Sequence, residues 1–237
     1  MKKVKFQDII IFENEDYIAV NKPPYLSTLA DRHENVNLLK LAKSYSEDAQ
    51  VCHRIDKDTS GALVLAKNPE AYRSLSIQFE RRTVTKEYHA VVDGIHNFIK
   101  EKVDKPLLVS GSGHVRIDNK EGKDATTYFE TIKAYKKHTL VQCIPITGRM
   151  HQIRVHLASL GAPITGDNFY GGRPFLLSDV KKGYNLKKWT EETSLIGRFA
   201  LHAHSITFEL LSGQKTTIEA DYPKDFRVLV DQLNKNC

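Results

Sequence analysis

Apolar and polar residues follow strand and helix periodicities along most of the chain, so the pattern predicts a mixed fold. Helices are predicted over 36–45, from Asn68-Pro69 to about Arg82, over 149–160 and from about residue 224. Strands are predicted over 8–12, 17–22, 61–67, 87–93, 124–135, 139–146, 199–209 and 215–220. Because few βαβ units repeat, we expect one α+β domain over 1–237, with a mixed, mainly antiparallel central sheet flanked by helices.

Composition narrows the class of protein. The chain has 237 residues, of which 41% are hydrophobic and 27% are charged, which is ordinary for a globular protein and argues against disorder. No apolar run reaches the roughly 18 residues that span a bilayer, so no membrane association is predicted. Three scattered cysteines fit a reducing compartment better than a disulfide framework. We therefore expect a cytoplasmic protein.

The positive charge is concentrated in the middle of the chain. Residues 51–200 carry 24 Lys and Arg against 16 Asp and Glu, a net charge of +8, whereas 1–50 and 201–237 each carry −1. A localised basic excess favours a polyanionic partner, most simply a nucleic acid. A well-solvated, lysine-rich surface would give the same balance.

A loop over His53–Gly61 carries five ionisable side chains directly before a predicted buried strand. Asp56 lies at its centre, and the neighbouring cations Arg54 and Lys57 favour its ionised form. A carboxylate held in this way suits a nucleophile or a base. A polar surface turn rich in Asp and Ser, with a purely structural role, has the same composition.

Two further stretches place side chains where they can bind a ligand. In Thr147–His156, Arg149 falls in the first turn of the predicted helix, where backbone N–H groups attract anions. Arg154 neighbours Ile153 at the edge of the buried face, where a carboxylate or phosphate partner is expected. A structural ion pair, or an apolar stem that carries the charge out to solvent, would place it there equally well. Tyr88 shares an apolar strand face, which suits either a pocket or the core.

Together the three stretches resemble RNA pseudouridine synthases of the RluA type. HRIDKDTSGALVLAK is similar to the catalytic-loop motif of that family, HRLDxxTSG. KEYHAVVDG, TGRMHQIRVHLASLGAPITGDNFYGG and FALHAHSITFEL follow in the family's order, and IIFENEDYIAVNKPPYLST resembles its opening strands. The resemblance covers about residues 8–225 and implies a single pseudouridine-synthase-like domain that isomerises uridine to pseudouridine in RNA.

The resemblance also implies roles for individual residues. Asp56 matches the catalytic aspartate, and Tyr88 matches the tyrosine that stacks on the target base. Arg154 matches the basic residue that pairs with the aspartate. Arg54 matches the arginine that can occupy the space left by the flipped base, and Arg149 is expected to contact phosphate. The isomerisation needs no cofactor, and no metal site is assigned.

The expected partner is a stem-loop of ribosomal or transfer RNA, with no membrane and no obligate protein partner, and the expected state is a monomer. The catalytic segment begins near residue 8, so no N-terminal S4 RNA-binding domain is expected. Residues 174–198 are longer than the family pattern suggests and include Lys181, Lys182, Lys187, Lys188 and Trp189. They predict either an RNA-contacting element or a solvated insertion.

Two alternatives compete with the synthase prediction. The first is an RNA-binding module of the same fold that acts as a chaperone, although the intact Asp56, Tyr88 and Arg154 argue against it. The second is a metal-dependent glycosyl- or phosphoryl-transfer enzyme that binds a divalent cation through Asp56 and Asp58. Sensitivity to EDTA separates the second alternative from the synthase.

Overall fold

The structure is a computed structural model that describes residues 4–30, 36–111, 113–186 and 190–236. The chain divides into two compact units. Unit 1 consists of Met1–Glu87 and Ala203–Tyr222, and unit 2 consists of Tyr88–His202 and Pro223–Cys237. Each unit is built around its own antiparallel strands.

The described residues form four α-helices and twelve strands. The helices are α1 (Leu38–Tyr45), α2 (Pro69–Glu80), α3 (Gln152–Ser159) and α4 (Lys224–Lys235). The strands are β1 (Ile10–Glu13), β2 (Tyr17–Lys22), β3 (Gln50–Val51), β4 (Ser60–Ala66), β5 (Thr85–Asp93), β6 (Glu101–Asp104), β7 (Leu107–Val109), β8 (Val115–Ile117), β9 (Thr126–Ala134), β10 (His138–Pro145), β11 (Leu201–Glu209) and β12 (Lys215–Glu219). None of these helices has the length and hydropathy needed to cross a bilayer.

The predicted α+β class, with a mixed, mainly antiparallel sheet and flanking helices, is confirmed. The predicted helices and strands correspond to observed ones, and most of their ends agree within two residues. The largest difference at a site residue is α3, which begins at Gln152 and not at Arg149. The structure adds the short strands β3, β6, β7 and β8, which have too few residues for a periodic pattern.

Unit 1 places β4 at the centre of its strands, and this explains why an apolar segment follows the loop that carries Asp56. The strand order is β1-β2-β4-β11, with β3 beside β4 and β12 beside β11. The β1–β2, β2–β4, β3–β4 and β11–β12 pairs are antiparallel. All of β4 is buried, and its Val64 belongs to a core with Tyr17, Leu75 of α2 and Phe208.

Helix α2 begins as the sequence predicts. The Asn68 side chain accepts a hydrogen bond from the backbone N–H of Ala71 at 2.8 Å, and Pro69 occupies the first helical position. Ala71 and Leu75 are buried against the strands of unit 1. The cap and the four-residue apolar spacing together account for the start and the orientation of this helix.

Unit 2 has the strand order β5-β10-β9-β6. The β5–β10, β10–β9 and β9–β6 pairs are antiparallel. Strands β7 and β8 form a separate hairpin. Val155 of α3 packs against Leu107, Val115 and Ala125, which joins the helix to the hairpin. Phe226 of helix α4 is buried in the core.

The described parts of 174–198 lie in unit 2. Phe175 and Ile196 are buried, and the backbone N–H of Leu195 donates to the carbonyl of Phe175 at 3.2 Å. The segment is therefore anchored at both ends. Of the residues that suggested an RNA-contacting element, Lys181 and Lys182 are exposed, whereas Lys187, Lys188 and Trp189 lie outside the described residues.

Candidate active site

The loop that carries Asp56 connects β3 to β4 in unit 1. Asp56 is half-buried, whereas Arg54 is exposed. The backbone N–H of Thr59 donates to the Asp56 carbonyl at 3.1 Å and closes a turn. The Thr28 hydroxyl donates to the carbonyl of buried Ile55 at 3.0 Å. The main chain is therefore held on both sides of a carboxylate that solvent can still reach.

A buried ammonium group ties the Asn-Lys-Pro segment to this loop. Lys22 is fully buried at the end of β2, and its Nζ donates to the carbonyls of Pro23 at 3.1 Å, Leu26 at 2.8 Å and Lys57 at 3.0 Å. Three acceptors satisfy a charge that burial would otherwise penalise. The sequence pattern alone predicts no role for Lys22, although its place between Asn21 and two prolines is unusual.

His53 is a neutral hydrogen-bond acceptor in the same loop. Its Nε2 accepts from the backbone N–H of Val64 at 3.1 Å, and its ring stacks on Phe79 with centroids 4.6 Å apart. Burial, with a smaller contribution from Lys86, lowers the pKa of His53 to about 3. Burial also raises the pKa of Cys52 to about 11, which disfavours a thiolate nucleophile. Asp56 is therefore the better candidate for the reacting group.

Position 61, near the start of β4, requires glycine for two reasons. Its φ of +117° lies in the region that favours glycine. A Cβ at this position would also overlap the carbonyl oxygen of Ala203 in β11. The motif therefore requires glycine where the chain turns from the Asp56 loop into the buried strand.

Gly61→Ala is expected to destabilise the protein by about 2–4 kcal/mol, because it combines an unfavourable backbone conformation with an overlap against backbone. Gly213→Ala is the matched control, since Gly213 also has a positive φ but no atom lies near its Cβ position. Urea unfolding of both variants measures the difference. Equal losses would show that the approach to Ala203 contributes nothing.

Arg154 forms a buried ion pair within unit 2. Its Nε donates to Asp167 Oδ2 at 2.6 Å and its Nη2 to Asp167 Oδ1 at 2.8 Å, and the two residues are only 7% and 2% exposed. The guanidinium also lies 4.8 Å from the Tyr170 ring centroid and 4.3 Å from that of Phe199. Arg154 therefore holds the segment that follows α3, and its pairing with Asp56 stays a prediction.

The position of Arg149 corrects the sequence prediction. It lies in an exposed loop ahead of α3, because the helix begins at Gln152 after His151 adopts the left-handed conformation with φ 52°. The Gln152 side-chain oxygen accepts a hydrogen bond from the Arg149 backbone N–H at 3.0 Å. This N–H is therefore already bonded to a side chain and is not one of the open N–H groups of a helix terminus. The Arg149 guanidinium donates from Nε to the Asp124 carbonyl at 3.0 Å. Arg149 is accessible to an anion, but not as a first-turn residue.

Hydrogen bonds between polar side chains connect α3 to β9. Gln152 Nε2 donates to the Thr127 hydroxyl at 2.9 Å, and that hydroxyl lies 2.9 Å from Nδ1 of His156. His156 Nε2 lies 3.0 Å from the carbonyl of Lys105. Burial lowers the pKa of His156, which favours the neutral ring. In HQIRVH, the second histidine and the glutamine thus form structural contacts, a role that spacing along the chain cannot show.

Tyr88 is the first residue of unit 2. It lies on β5 opposite Cys143 of β10 and is half-buried. The strand is buried on both faces over the next four residues, so burial does not follow the predicted two-residue alternation. The ring is positioned on a central strand, and base stacking by Tyr88 stays a prediction.

The family of the chain follows from comparison with known proteins. Residues 16–159 match the family model described as RNA pseudouridylate synthase. The chain belongs to the RNA pseudouridine synthase family. The matched span contains all five predicted site residues but ends before Asp167, the observed partner of Arg154.

Named members of this synthase family are similar over most of the chain. It is 36% identical over 210 residues to a ribosomal large subunit pseudouridine synthase C of Buchnera aphidicola, covering 86% of this chain and 63% of that one. It is 33% identical over 225 residues to an uncharacterized RNA pseudouridine synthase of Zymomonas mobilis, covering 92% and 94%. The chain thus spans less than two thirds of the Buchnera protein.

A solved synthase structure shows the same fold. The human protein named RNA pseudouridylate synthase domain containing 4 aligns with a TM-score of 0.71 at 23% identity. The alignment covers 97% of this chain and 94% of the human one. The predicted pseudouridine-synthase-like fold is therefore confirmed.

Proposed function

We propose that this chain isomerises uridine to pseudouridine in RNA. The observation that carries the proposal is the match of residues 16–159 to the RNA pseudouridine synthase family, which includes the Asp56 loop. The contacts of Lys22, Thr28 and Gly61 support it, because they hold the main chain of that loop while Asp56 stays half-buried. A preformed loop is what an active-site carboxylate needs.

The reaction rearranges one glycosidic bond. The N1–C1′ bond breaks, the uracil turns, a C5–C1′ bond forms, the C5 hydrogen leaves to solvent, and N1 takes up a proton. Nothing is oxidised or reduced, so the proposal includes no cofactor. In this scheme Asp56 reacts with the nucleoside, Tyr88 stacks on the uracil and Arg154 pairs with the carboxylate. The target base must first leave its stack, which costs a few kcal/mol.

Charge supports an RNA partner, because the positive charge of the chain is concentrated on unit 2. That unit carries 20 Lys and Arg against 13 Asp and Glu, a net charge of +7, whereas unit 1 carries 15 against 16, a net charge of −1. Cationic side chains bind the phosphate backbone regardless of sequence. In the proposal Arg149 contacts phosphate and Arg54 fills the space left by the flipped base.

The proposal also covers the class of RNA substrate, the domain organisation, the location in the cell and the oligomeric state. Several relatives are named for the ribosomal large subunit, so its RNA is the first substrate to test, followed by transfer RNA. We further propose that 1–237 act as one catalytic domain, in the cytoplasm and as a monomer, with 174–198 as an insertion. The family match supports one domain because it continues from unit 1 into unit 2.

Release of tritium tests the reaction directly, because isomerisation detaches the hydrogen from C5 of uridine. Unmodified ribosomal and transfer RNA transcripts carrying [5-³H]uridine are incubated with the protein in excess EDTA. We expect tritium to enter water at the same rate with and without EDTA. Loss of release in EDTA would show that the isomerisation depends on a divalent cation and would contradict the cofactor-free scheme. RNA binding without any release would favour the chaperone.

A further inference from the structure

Four aromatic rings gather at the surface of unit 2, outside the Asp56 loop. The His114 ring of the β7–β8 hairpin lies 4.9 Å from that of Phe169 and 5.6 Å from that of Tyr170. The His151 ring lies 6.3 Å from Phe169 and 5.7 Å from Tyr170, edge to face in both cases. The segment after α3, the hairpin and the loop before α3 therefore meet in one cluster.

Phe169 and His114 are the exposed members of this cluster, and hydrogen bonds hold Tyr170 and His151. Phe169 is 53% exposed although its ring packs against three others. Beneath it, the Tyr170 hydroxyl lies 2.8 Å from His151 Nδ1 and accepts from the backbone N–H of Val115 at 3.3 Å. The Arg154 guanidinium lies 4.8 Å from the Tyr170 ring centroid. The exposed ring thus rests on a rigid base.

The backbone beside the cluster is held in an uncommon conformation. His151 has φ 52°, a value that non-glycine residues rarely adopt and that persists where surrounding contacts enforce it. This conformation directs the His151 ring to Tyr170, and it leaves Arg149 and Met150 exposed immediately before α3. A cation and an exposed apolar side chain therefore adjoin the aromatic cluster along the chain.

We propose that His114 and Phe169 form a stacking platform for an unpaired base of the RNA substrate, separate from the base that reacts. Exposed aromatic rings on a basic surface bind single-stranded nucleic acid, since every base has a π-face. Unit 2 supplies the net charge of +7 and the nearby Arg149. The proposal rests on the proposed function, and it assigns to the platform the recognition of an unpaired base near the target uridine.

The probe is an oligoadenylate of about 12 nucleotides with one central 2-aminopurine, whose fluorescence falls when the base stacks. Phe169→Ala is expected to weaken its binding by about 5- to 150-fold, the effect of losing one base–aromatic stack. Phe169→Trp should keep both the affinity and the quenching. The affinity for a blunt RNA duplex should not change, because a paired base cannot reach the platform.

Tyr128→Ala is the matched control. Tyr128 is a 37% exposed aromatic residue of unit 2, and it points away from α3 because its neighbour Thr127 contacts Gln152 and His156. Its loss should leave the oligoadenylate affinity within about twofold. Circular dichroism and thermal unfolding of both alanine variants confirm that they fold.

Three outcomes would overturn the platform: absence of oligoadenylate binding by the wild-type protein, equal affinities of wild type and Phe169→Ala, or equal weakening by Tyr128→Ala. The tritium assay of the same proteins separates this failure from that of the proposed function. Tritium release with unchanged affinity in Phe169→Ala rejects only the platform. Phe169-dependent binding by a wild-type protein that releases no tritium rejects only the isomerase.

Discussion

Asp56→Asn is expected to lower the rate of pseudouridine formation by at least about 10³-fold while RNA affinity stays within a few-fold of wild type. The amide has the shape of the carboxylate but can neither attack the nucleoside nor accept its proton. The half-buried side chain lies on a loop whose main chain is held by Lys22 and Thr28, so the fold should persist. Single-turnover tritium release and fluorescence anisotropy measure the two quantities.

Asp58→Asn is the matched control for this variant. Asp58 is also half-buried, lies in the same loop two residues away and carries the same functional group. We expect its rate to stay within about tenfold of wild type. A metal-dependent enzyme that used both carboxylates would lose activity in both variants. Near-normal turnover by a clean Asp56→Asn preparation would remove the central assignment.

Arg154→Met is expected to destabilise the protein by about 3–5 kcal/mol, because it leaves the carboxylate of Asp167 buried without its ion-pair partner. The change also removes the cation that lies beside the rings of Tyr170 and Phe199. Urea unfolding with an unchanged slope measures the loss. A loss below about 1 kcal/mol is typical of exposed pairs and would contradict this account.

The double variant Arg154→Met with Asp167→Leu separates the structural role of the arginine from its proposed chemical one. Replacing both charges by apolar groups should recover most of the lost stability. If activity returns with stability, Arg154 acts only by holding Asp167. If the stable double variant stays inactive while it binds RNA, a direct role of Arg154 at the reacting site is supported.

Local signals predicted the regular elements well. The Asn68 cap, Pro69 and the four-residue apolar spacing were sufficient for α2, because each acts within one or two turns of the helix. The predicted start of α3, at Arg149, was three residues too early, because the helix begins at Gln152. The left-handed conformation of His151 depends on contacts with Tyr170, 19 residues away, and nothing in the local pattern reports them.

In the candidate site, too, the residues within a local motif could be predicted, whereas those that act through distant partners could not. Asp56 could be found because its motif is contiguous and because an apolar strand follows it. Lys22 and Asp167 were missed because their roles depend on partners 35 and 13 residues away, the carbonyl of Lys57 and the guanidinium of Arg154. The sequence predicted an anionic partner for Arg154, but only the three-dimensional structure identifies Asp167 as that partner.

The most direct test of the account is to map pseudouridine in total RNA from cells with and without this protein. Carbodiimide labelling and primer extension locate each pseudouridine, and cells that carry only Asp56→Ala are analysed in parallel. We predict that one or a few positions in ribosomal or transfer RNA lose their label without the protein, regain it with wild type, and do not regain it with Asp56→Ala. An unchanged map in both RNA classes, or restoration by Asp56→Ala, would contradict the account.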